Sequence, residues 1–186
     1  SLCVPFTVGC SMISFGTRMA GANSAAWVND SAFWIGNDRF YRYDGQVIPL
    51  PCTVLDTVFD DFNYTQSDKV DASVNSKFNE ITWFYPSGGS NSNDRYVTFN
   101  YQEKVWYYGA LDRSAWLDRS IKEFPIGAST DGYLYNHENG VDADGLPLAA
   151  YIESSPVDIQ EGENFAFVRR LLPDISFLNS TSGADK

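Results

Sequence analysis

Short runs that mix apolar, aromatic and polar residues alternate with polar turns along most of the chain. Residues 31–36 form an apolar run, residues 39–43 combine three aromatic side chains with two arginines, and Asp44-Gly45 is a strong hairpin dipeptide. Residues 46–50 then predict the outgoing strand. Apolar spacing at i, i+3, i+4 and i+7 is not sustained anywhere, so the pattern favours strands over helices.

A second region predicts a longer antiparallel meander. Residues 78–85 read as a strand that stops at Pro86, and residues 96–101 and 104–109 read as the next two strands. The segment 87–93, SGGSNSN, is a polar loop.

A third region repeats the pattern more weakly. Residues 132–138 predict a strand, residues 148–154 predict another beyond a Gly- and Asp-rich loop, and residues 165–177 predict a strand broken by Pro173. Residues 179–186 are polar and predict a frayed end.

Prolines and polar segments mark the remaining boundaries. Pro49 and Pro51 predict the end of the strand at 46–50. Residues 56–76 predict an outer strand with a crossing loop, and short helical turns are expected there or in residues 114–120.

A polar turn followed by an aromatic strand occurs three times. Its aspartates, Asp38, Asp94 and Asp131, are 56 and 37 positions apart, a spacing that resembles the period of propeller blades. The predicted turn and repeat residues are Asn37, Asp38, Asp44, Gly45, Asn93, Asp94, Asp131 and Gly132.

The predicted fold is therefore all-β, with antiparallel blade-like sheets in a partial β-propeller. A β-sandwich is the alternative. Residues 1–160 are assigned to the blades, and residues 161–186 to a C-terminal strand and polar tail. Three blades do not close a ring, so we expect other chains, or a further part of a longer polypeptide, to complete the architecture.

Composition narrows the function classes. The chain has 186 residues, is 44% hydrophobic and 16% aromatic, and carries a formal net charge of −11. This charge argues against a general nucleic-acid binder and against docking on an anionic membrane, since both need clustered Lys and Arg. No segment approaches the roughly 20 apolar residues of a membrane span.

The cysteines do not form a metal or redox motif. Cys3, Cys10 and Cys52 have no CxxC spacing and are expected to be buried free thiols, with a Cys3–Cys10 disulfide as the alternative. A chain with one histidine and three unclustered cysteines is not expected to hold zinc.

Candidate catalytic groups are sparse. His137 beside Glu138 has no evident nucleophile as a partner, and the Asp60-Asp61 dipeptide places its side chains on opposite faces of a strand. The segment 142–145 resembles part of a calcium loop but lacks acidic residues at the first and twelfth loop positions. We expect no enzymatic activity, metal or cofactor.

Charged side chains next to the repeated turns are better explained by contacts between subunits or with the surplus acids. The predicted interface residues are Arg39, Arg42, His137, Glu138, Arg169 and Arg170. The five tryptophans are expected to fill spaces between sheets, with a sugar-binding platform as the alternative.

Several stretches resemble a family of bacteriophage virion proteins. They include residues 32–54, FNEITWFYPS at 78–87, NDRYVTFNYQEKVWYYG at 93–109, and residues 131–177 with YNHENG. The resemblance covers about four fifths of the chain, and the family is similar to the propeller-containing tail nozzle or hub proteins of short-tailed phages.

The resemblance implies a non-enzymatic structural component of a virion, made in the bacterial host cytoplasm. It implies partners among other virion proteins and copies of the chain itself, arranged in a six-fold ring. DNA would be only a passing cargo, and no membrane binding is expected. The chain is short for a nozzle protein, which leaves its position in the particle open. The alternative function is a carbohydrate-binding or glycan-cleaving module that recognises a host surface.

Overall fold

The computed structural model describes residues 17–140, 142, 143, 145, 146, 167, 169, 170 and 172. The chain divides into two units, Ser1–Glu138 and Asn139–Lys186. Within the second unit, Ala143 and Leu146 form an isolated antiparallel bridge. The strand predicted at 148–154, most of the segment 165–177 and the predicted boundary after residue 160 lie outside the described residues.

The first sheet is a four-stranded antiparallel meander. Its strands are β1 (Ala25–Val28), β2 (Ser31–Ile35), β3 (Phe40–Tyr43) and β4 (Val47–Leu50), in the order β1-β2-β3-β4. The predicted strands at 31–36, 39–43 and 46–50 are confirmed. Gly45 has a φ of +115° in the hairpin between β3 and β4, a conformation that side-chain-bearing residues rarely adopt.

The end of β4 directly before Pro51 is as predicted, but the role expected of Pro49 was wrong. Pro49 was expected to end the strand at 46–50, but it lies inside β4, opposite Tyr41. Because β4 is the edge strand of its sheet, the missing N–H of Pro49 interrupts no pairing with a further strand.

The segment between the first two sheets contains short helices and a strand. An α-helix, α1 (Leu55–Asp60), is followed by a 3₁₀-helix (Tyr64–Lys69), which confirms the helical turns expected there. The strand that follows, β5 (Asp71–Asn75), is the first strand of the second sheet, so the outer strand and crossing loop predicted for 56–76 were wrong.

The second sheet has the same topology as the first. Its strands are β5, β6 (Glu80–Tyr85), β7 (Arg95–Asn100) and β8 (Val105–Ala110), again in sequential antiparallel order. The predicted meander is confirmed, and β5 adds a fourth strand to it.

The third sheet has three described strands. These are β9 (Ala115–Leu117), β10 (Ile126–Ala128) and β11 (Leu134–Asn136), with β10 between the other two. The strand predicted near 132–138 is confirmed, whereas residues 114–120 form β9 instead of a helical turn. The described chain is therefore predominantly antiparallel β-structure, as the sequence pattern predicts.

The first strands of successive sheets lie next to one another. Asn23, just before β1, forms a parallel bridge with Asp71 at the start of β5, and its carbonyl accepts a 2.8 Å hydrogen bond from the N–H of Ala72. Strand β5 also lies beside β9. Open antiparallel sheets in this arrangement fit either blade-like sheets or a sandwich.

The main core lies between the first and second sheets. Phe33, Ile35 and Phe40 of the first sheet meet Trp83 and Phe99 of the second, and all five are buried. The Trp83 indole Nε1 also donates a 3.0 Å hydrogen bond to the carbonyl of Ser24. Aromatic packing and this buried hydrogen bond hold the two sheets together.

The opposite face of the second sheet is more polar and meets the third sheet. Thr82 and Thr98 lie opposite each other in β6 and β7, with their hydroxyl oxygens 2.8 Å apart. Trp116 of β9 packs against Phe84, with ring centroids 5.9 Å apart, and its Nε1 donates to the carbonyl of Val74 at 3.1 Å. The second sheet therefore has one apolar face and one mixed face.

Candidate functional site

The three repeated turns occupy the same position in their sheets. Asn37-Asp38 precedes β3, Asn93-Asp94 precedes β7, and Asp131-Gly132 precedes β11. Each turn therefore joins the second strand of a sheet to the third. The sequence repeat corresponds to a structural repeat, and the aspartate is found at the same connection each time.

Each turn aspartate accepts hydrogen bonds that fix its own connection. Asp38 accepts from the hydroxyl of Tyr41 at 3.2 Å, and Asp94 accepts from the N–H and the hydroxyl of Ser87 at 2.7 and 2.8 Å. Asp131 accepts from the N–H of Tyr133 at 3.2 Å and from the hydroxyl of Tyr135, in β11, at 3.3 Å. These contacts are local, as expected of side chains that stabilise turns.

Asn93 has a wider role than its neighbours in the repeat. Its side chain is buried, and Nδ2 donates to the carbonyls of Lys69 and Arg113 at 2.8 and 3.1 Å. It thereby ties the 3₁₀-helix to the segment before β9.

The arginines of the first turn pair with adjacent acids. Nε of Arg39 lies 3.0 Å from the carboxylate of Asp38, and both side chains are at least half exposed. Arg42 forms an ion pair with Asp44 in the β3–β4 hairpin. Exposed pairs of this kind contribute little to stability, about 0–1 kcal/mol each. The sequence left open whether these arginines contact another subunit or the chain's own acids. In the structure, both contact acids of the same chain.

His137, directly after β11, lies in a cluster of side chains that contact one another on the third sheet. Nε of Arg113 donates to Nε2 of His137 at 2.8 Å, and the His137 ring packs against Trp116 with centroids 4.5 Å apart. The Arg113 guanidinium lies over the ring of Tyr135 at 4.6 Å. Burial, and secondarily the positive charge of Arg113, lowers the pKa of His137 to about 4. The imidazole is therefore neutral at physiological pH and serves as a hydrogen-bond acceptor.

Sequence reasoning missed Arg113. Arg113 is only 8% exposed, and no carboxylate among the described residues lies within ion-pair distance of its guanidinium. Gly127 makes room for it, because a Cβ at that position would lie 2.7 Å from Cδ of Arg113. No local pattern in the sequence around Arg113 signals that this arginine will be buried.

Two acids, Glu80 and Glu138, lie near each other where the mixed face of the second sheet meets the third sheet. Oε1 of Glu138 accepts a hydrogen bond from Nδ2 of Asn75 at 3.4 Å. Burial is the main cause that raises the pKa of Glu80, and the charge of Glu138 adds to it, while the hydroxyl of Tyr107 opposes it. Burial, with the adjacent Glu80, in turn raises the pKa of Tyr107. Two carboxyls within electrostatic range are the feature closest to general acid–base chemistry in the described structure.

The other acidic motifs have structural partners. Asp61 forms an ion pair with Arg95 at 3.3 Å, and Asp142 accepts a 3.1 Å hydrogen bond from the N–H of Gly145 as in an ordinary turn. Within the part of the chain that the structure describes, no group of three or more His, Cys, Asp and Glu side chains is placed to hold a metal ion. Within the same part, no helix is long and apolar enough to cross a membrane.

Cys52 is a free thiol whose pKa burial raises to about 11, so the unreactive thiol form predominates at neutral pH. Cys3 and Cys10 lie outside the described residues. Arg169 and Arg170 are exposed residues of the second unit.

Four of the five tryptophans lie in or against the packed sheets. Trp34 and Trp83 are buried, and Trp106 and Trp116 are partly buried with their indole N–H groups bonded to main-chain carbonyls. Trp27 is the exception, with 48% of its surface exposed. This distribution of the tryptophans matches the expectation that they pack in or against the sheets.

Two exposed leucines lie on the outer face of the third sheet, within the part of the chain that the structure describes. Strand register places Leu117 and Ile126 on this face together with Leu134, away from the Trp116 side. Leu117 and Leu134 are 61% and 73% exposed. An exposed group of aliphatic side chains on a sheet face is typical of a surface that another protein element covers.

Comparison of the chain with models of known protein families finds no match, and a search among curated proteins finds no significant match either.

Proposed function

We propose that this protein is a non-enzymatic structural component of a bacteriophage particle, tail- or nozzle-associated, that works through assembly with other virion proteins and copies of itself. The observation that carries the proposal is the pair of exposed leucines, Leu117 and Leu134, which share the outer face of the third sheet with the partly buried Ile126 among the described residues. The virion assignment itself rests on the family resemblance of the sequence.

The order of the sheets explains why this face favours assembly. The first sheet packs on one face of the second, and side chains of the third sheet contact the other face. The outer face of the third sheet is the surface on which the next blade of a propeller would pack. Burying one leucine there would contribute about 1.5–3 kcal/mol, so two exposed leucines offer a substantial driving force for association.

The charge of the chain fits a role beside DNA without binding it. With a net charge of −11, the protein repels a polyanion on average. Such repulsion would let DNA pass a ring of subunits without binding to it. A closed ring of protomers, six-fold in a phage tail, would bury surfaces that a single copy leaves exposed.

The virion assignment is tested in purified particles. Mass spectrometry and antibody labelling of intact virions should detect the protein in a fixed copy number, and purified protein should show no glycoside hydrolase activity. Absence from virions that are otherwise complete would overturn the proposal.

The assembly surface is tested separately with matched variants. Leu134→Asp should reduce incorporation into particles and self-association in sedimentation velocity, because it places a charge on the apolar face. Ile121→Asp is the control, since Ile121 is fully exposed in the loop between β9 and β10 rather than on the face. Equal incorporation of both variants would show that the face is not an assembly surface.

A further inference from the structure

We propose that a cavity between the first and second sheets binds a small organic anion with a flat apolar body and a carboxylate group. The cavity has a volume of about 320 Å³ and lies where β2, β3 and the end of β4 meet the β7–β8 hairpin. This volume lies at the lower end of the range for small-molecule sites, roughly 300–1,000 Å³.

Aromatic and aliphatic side chains line the inner part of the cavity. Phe33 and Phe99 are buried, with ring centroids 6.3 Å apart, and Leu50 and Tyr101 also line the cavity. A flat apolar group would be desolvated against these rings.

Two cationic side chains line the same cavity. Arg42 and Lys104 both contribute to its wall, although the chain as a whole carries a charge of −11. Among the described residues, Lys104 has no ion-pair partner. A local concentration of positive charge on an acidic protein favours an anionic ligand.

Arg42 supplies the most specific part of the argument. Its terminal Nη2 is held by Asp44, but its Nε is buried and has no hydrogen-bond partner among the described residues. Strand pairing places Arg42 opposite Phe33, so both side chains are on the face that meets the second sheet. A buried N–H without a partner costs about 1–3 kcal/mol. The guanidinium of Arg42 also lines the cavity, so its positive charge would act on a ligand carboxylate held there.

The rim of the cavity is held in place without a ligand. Nε1 of Trp106 donates to the carbonyl of Pro51 at 2.9 Å, which joins the second sheet to the segment after β4. The hydroxyl of Tyr101 donates to Asn79 at 3.1 Å, and the N–H of Lys104 donates to the carbonyl of Asn100 at 2.8 Å. A preformed rim reduces the conformational entropy that binding would cost.

The ligand class follows from these features together. A carboxylate is attracted by the charges of Arg42 and Lys104, and a flat hydrocarbon body occupies the aromatic part. Inorganic phosphate supplies only the first of these requirements, and a neutral aromatic amide supplies only the second. Both requirements together predict selectivity for an aromatic carboxylate.

The proposal is tested by titrating the full chain with 2-naphthoate, followed by ¹H–¹⁵N NMR and calorimetry. We expect saturable shifts of the Arg42 Nε–Hε signal and the Lys104 amide signal, with affinity about tenfold tighter than for 2-naphthamide, a difference of about 1.4 kcal/mol. Inorganic phosphate should bind more weakly than 2-naphthoate.

Lys104→Asn is the matched variant, because Lys104 has a φ of +60° and asparagine tolerates that conformation. It should weaken 2-naphthoate binding about fivefold or more, in line with the loss of one charge-assisted contact. Lys122→Asn, in the loop between β9 and β10, is the control and should bind as the wild type does.

Three results would overturn the proposal. The first is that 2-naphthoate shows no saturable binding up to about 10 mM, because the proposed contacts should give a higher affinity than that. The second is equal binding of 2-naphthamide or phosphate, and the third is unchanged affinity in Lys104→Asn.

Discussion

Nε of Arg113 donates a 2.8 Å hydrogen bond to Nε2 of His137, so a buried arginine is paired with a neutral imidazole. The accepting nitrogen cannot carry a proton, which places the ring proton of His137 on Nδ1. Protonation of His137 would break this bond and set two positive charges beside each other. The third sheet therefore depends on His137 being uncharged.

The first prediction concerns acid sensitivity. The pKa of His137 falls from 6.5 to about 4 in the folded protein, so the unfolded chain binds more protons between these values. The stabilisation is complete above pH 6.5 and is lost as the pH falls toward 4. His137→Gln should remove this part of the pH dependence, which is on the order of 2 kcal/mol between pH 7 and 4.5.

Urea denaturation of the wild type and His137→Gln at several pH values checks this. The difference in unfolding free energy between the two proteins should shrink as the pH is lowered. Parallel stability curves would contradict the assignment of a neutral, buried His137.

The second prediction has the opposite sign. Burial raises the pKa of Asp71 from 3.8 to about 6, so the folded protein binds the extra proton in this window. The stabilisation is present below pH 3.8 and is lost as the pH rises through 6. Asp71→Asn removes the ionisable carboxyl, so it should gain stability relative to the wild type as the pH rises from 4 to 7, on the order of 2 kcal/mol.

The same denaturation series measures this effect. As the pH rises, the unfolding free energy of Asp71→Asn should increase relative to the wild type, whereas that of His137→Gln should decrease relative to the wild type. A difference independent of pH would show that Asp71 titrates normally.

The third prediction compares a buried and an exposed arginine. Arg113→Ala removes the hydrogen bond to His137 and the contact with Tyr135, so it should destabilise the protein by about 2–4 kcal/mol. Arg119 is exposed and bonds Ser76 at 3.3 Å, so Arg119→Ala should change stability by about 0.5 kcal/mol or less. Thermal unfolding followed by near-UV circular dichroism distinguishes them, and equal losses would refute a special role for Arg113.

The fourth prediction concerns the contact between the first two sheets. Trp83→Phe leaves the carbonyl of Ser24 without its indole donor and removes buried volume, so we expect a loss of about 2–4 kcal/mol. Trp27→Phe changes an exposed side chain and should cost about 0.5 kcal/mol or less. Chemical denaturation measures the free energy of unfolding of both variants. An unchanged value in Trp83→Phe would show that the hydrogen bond contributes little.

Much of the strand content is predictable because it depends on local patterns. Asp44-Gly45 and the alternating residues of β3 specify a hairpin by turn geometry and side-chain period alone. The sequence did not predict β5 as the first strand of the second sheet, nor β9 as a strand, because β5 is partly polar and β9 has only three residues. Their place in the fold comes from lying beside the first strands of neighbouring sheets, a relationship that no local window contains.

The sites divide in the same way. Sequence identified the repeated aspartates and their turns, since an aspartate that bonds its own neighbourhood needs only local geometry. It singled out His137 and Arg42 as contact residues, but not the buried Arg113 or the cavity beside Phe33 and Phe99. These depend on which sheet faces meet.

By itself, the sequence determined an antiparallel β-fold, a threefold repeat of turn and strand, and an acidic chain that does not suit nucleic-acid binding. Only the tertiary structure decided which face of each sheet is covered, which arginine is buried, and where two cations share an aromatic cavity. The physical reason is that turns and strand periods follow from residues close in the chain. Burial, pKa shifts and cavities follow from contacts between residues far apart in it.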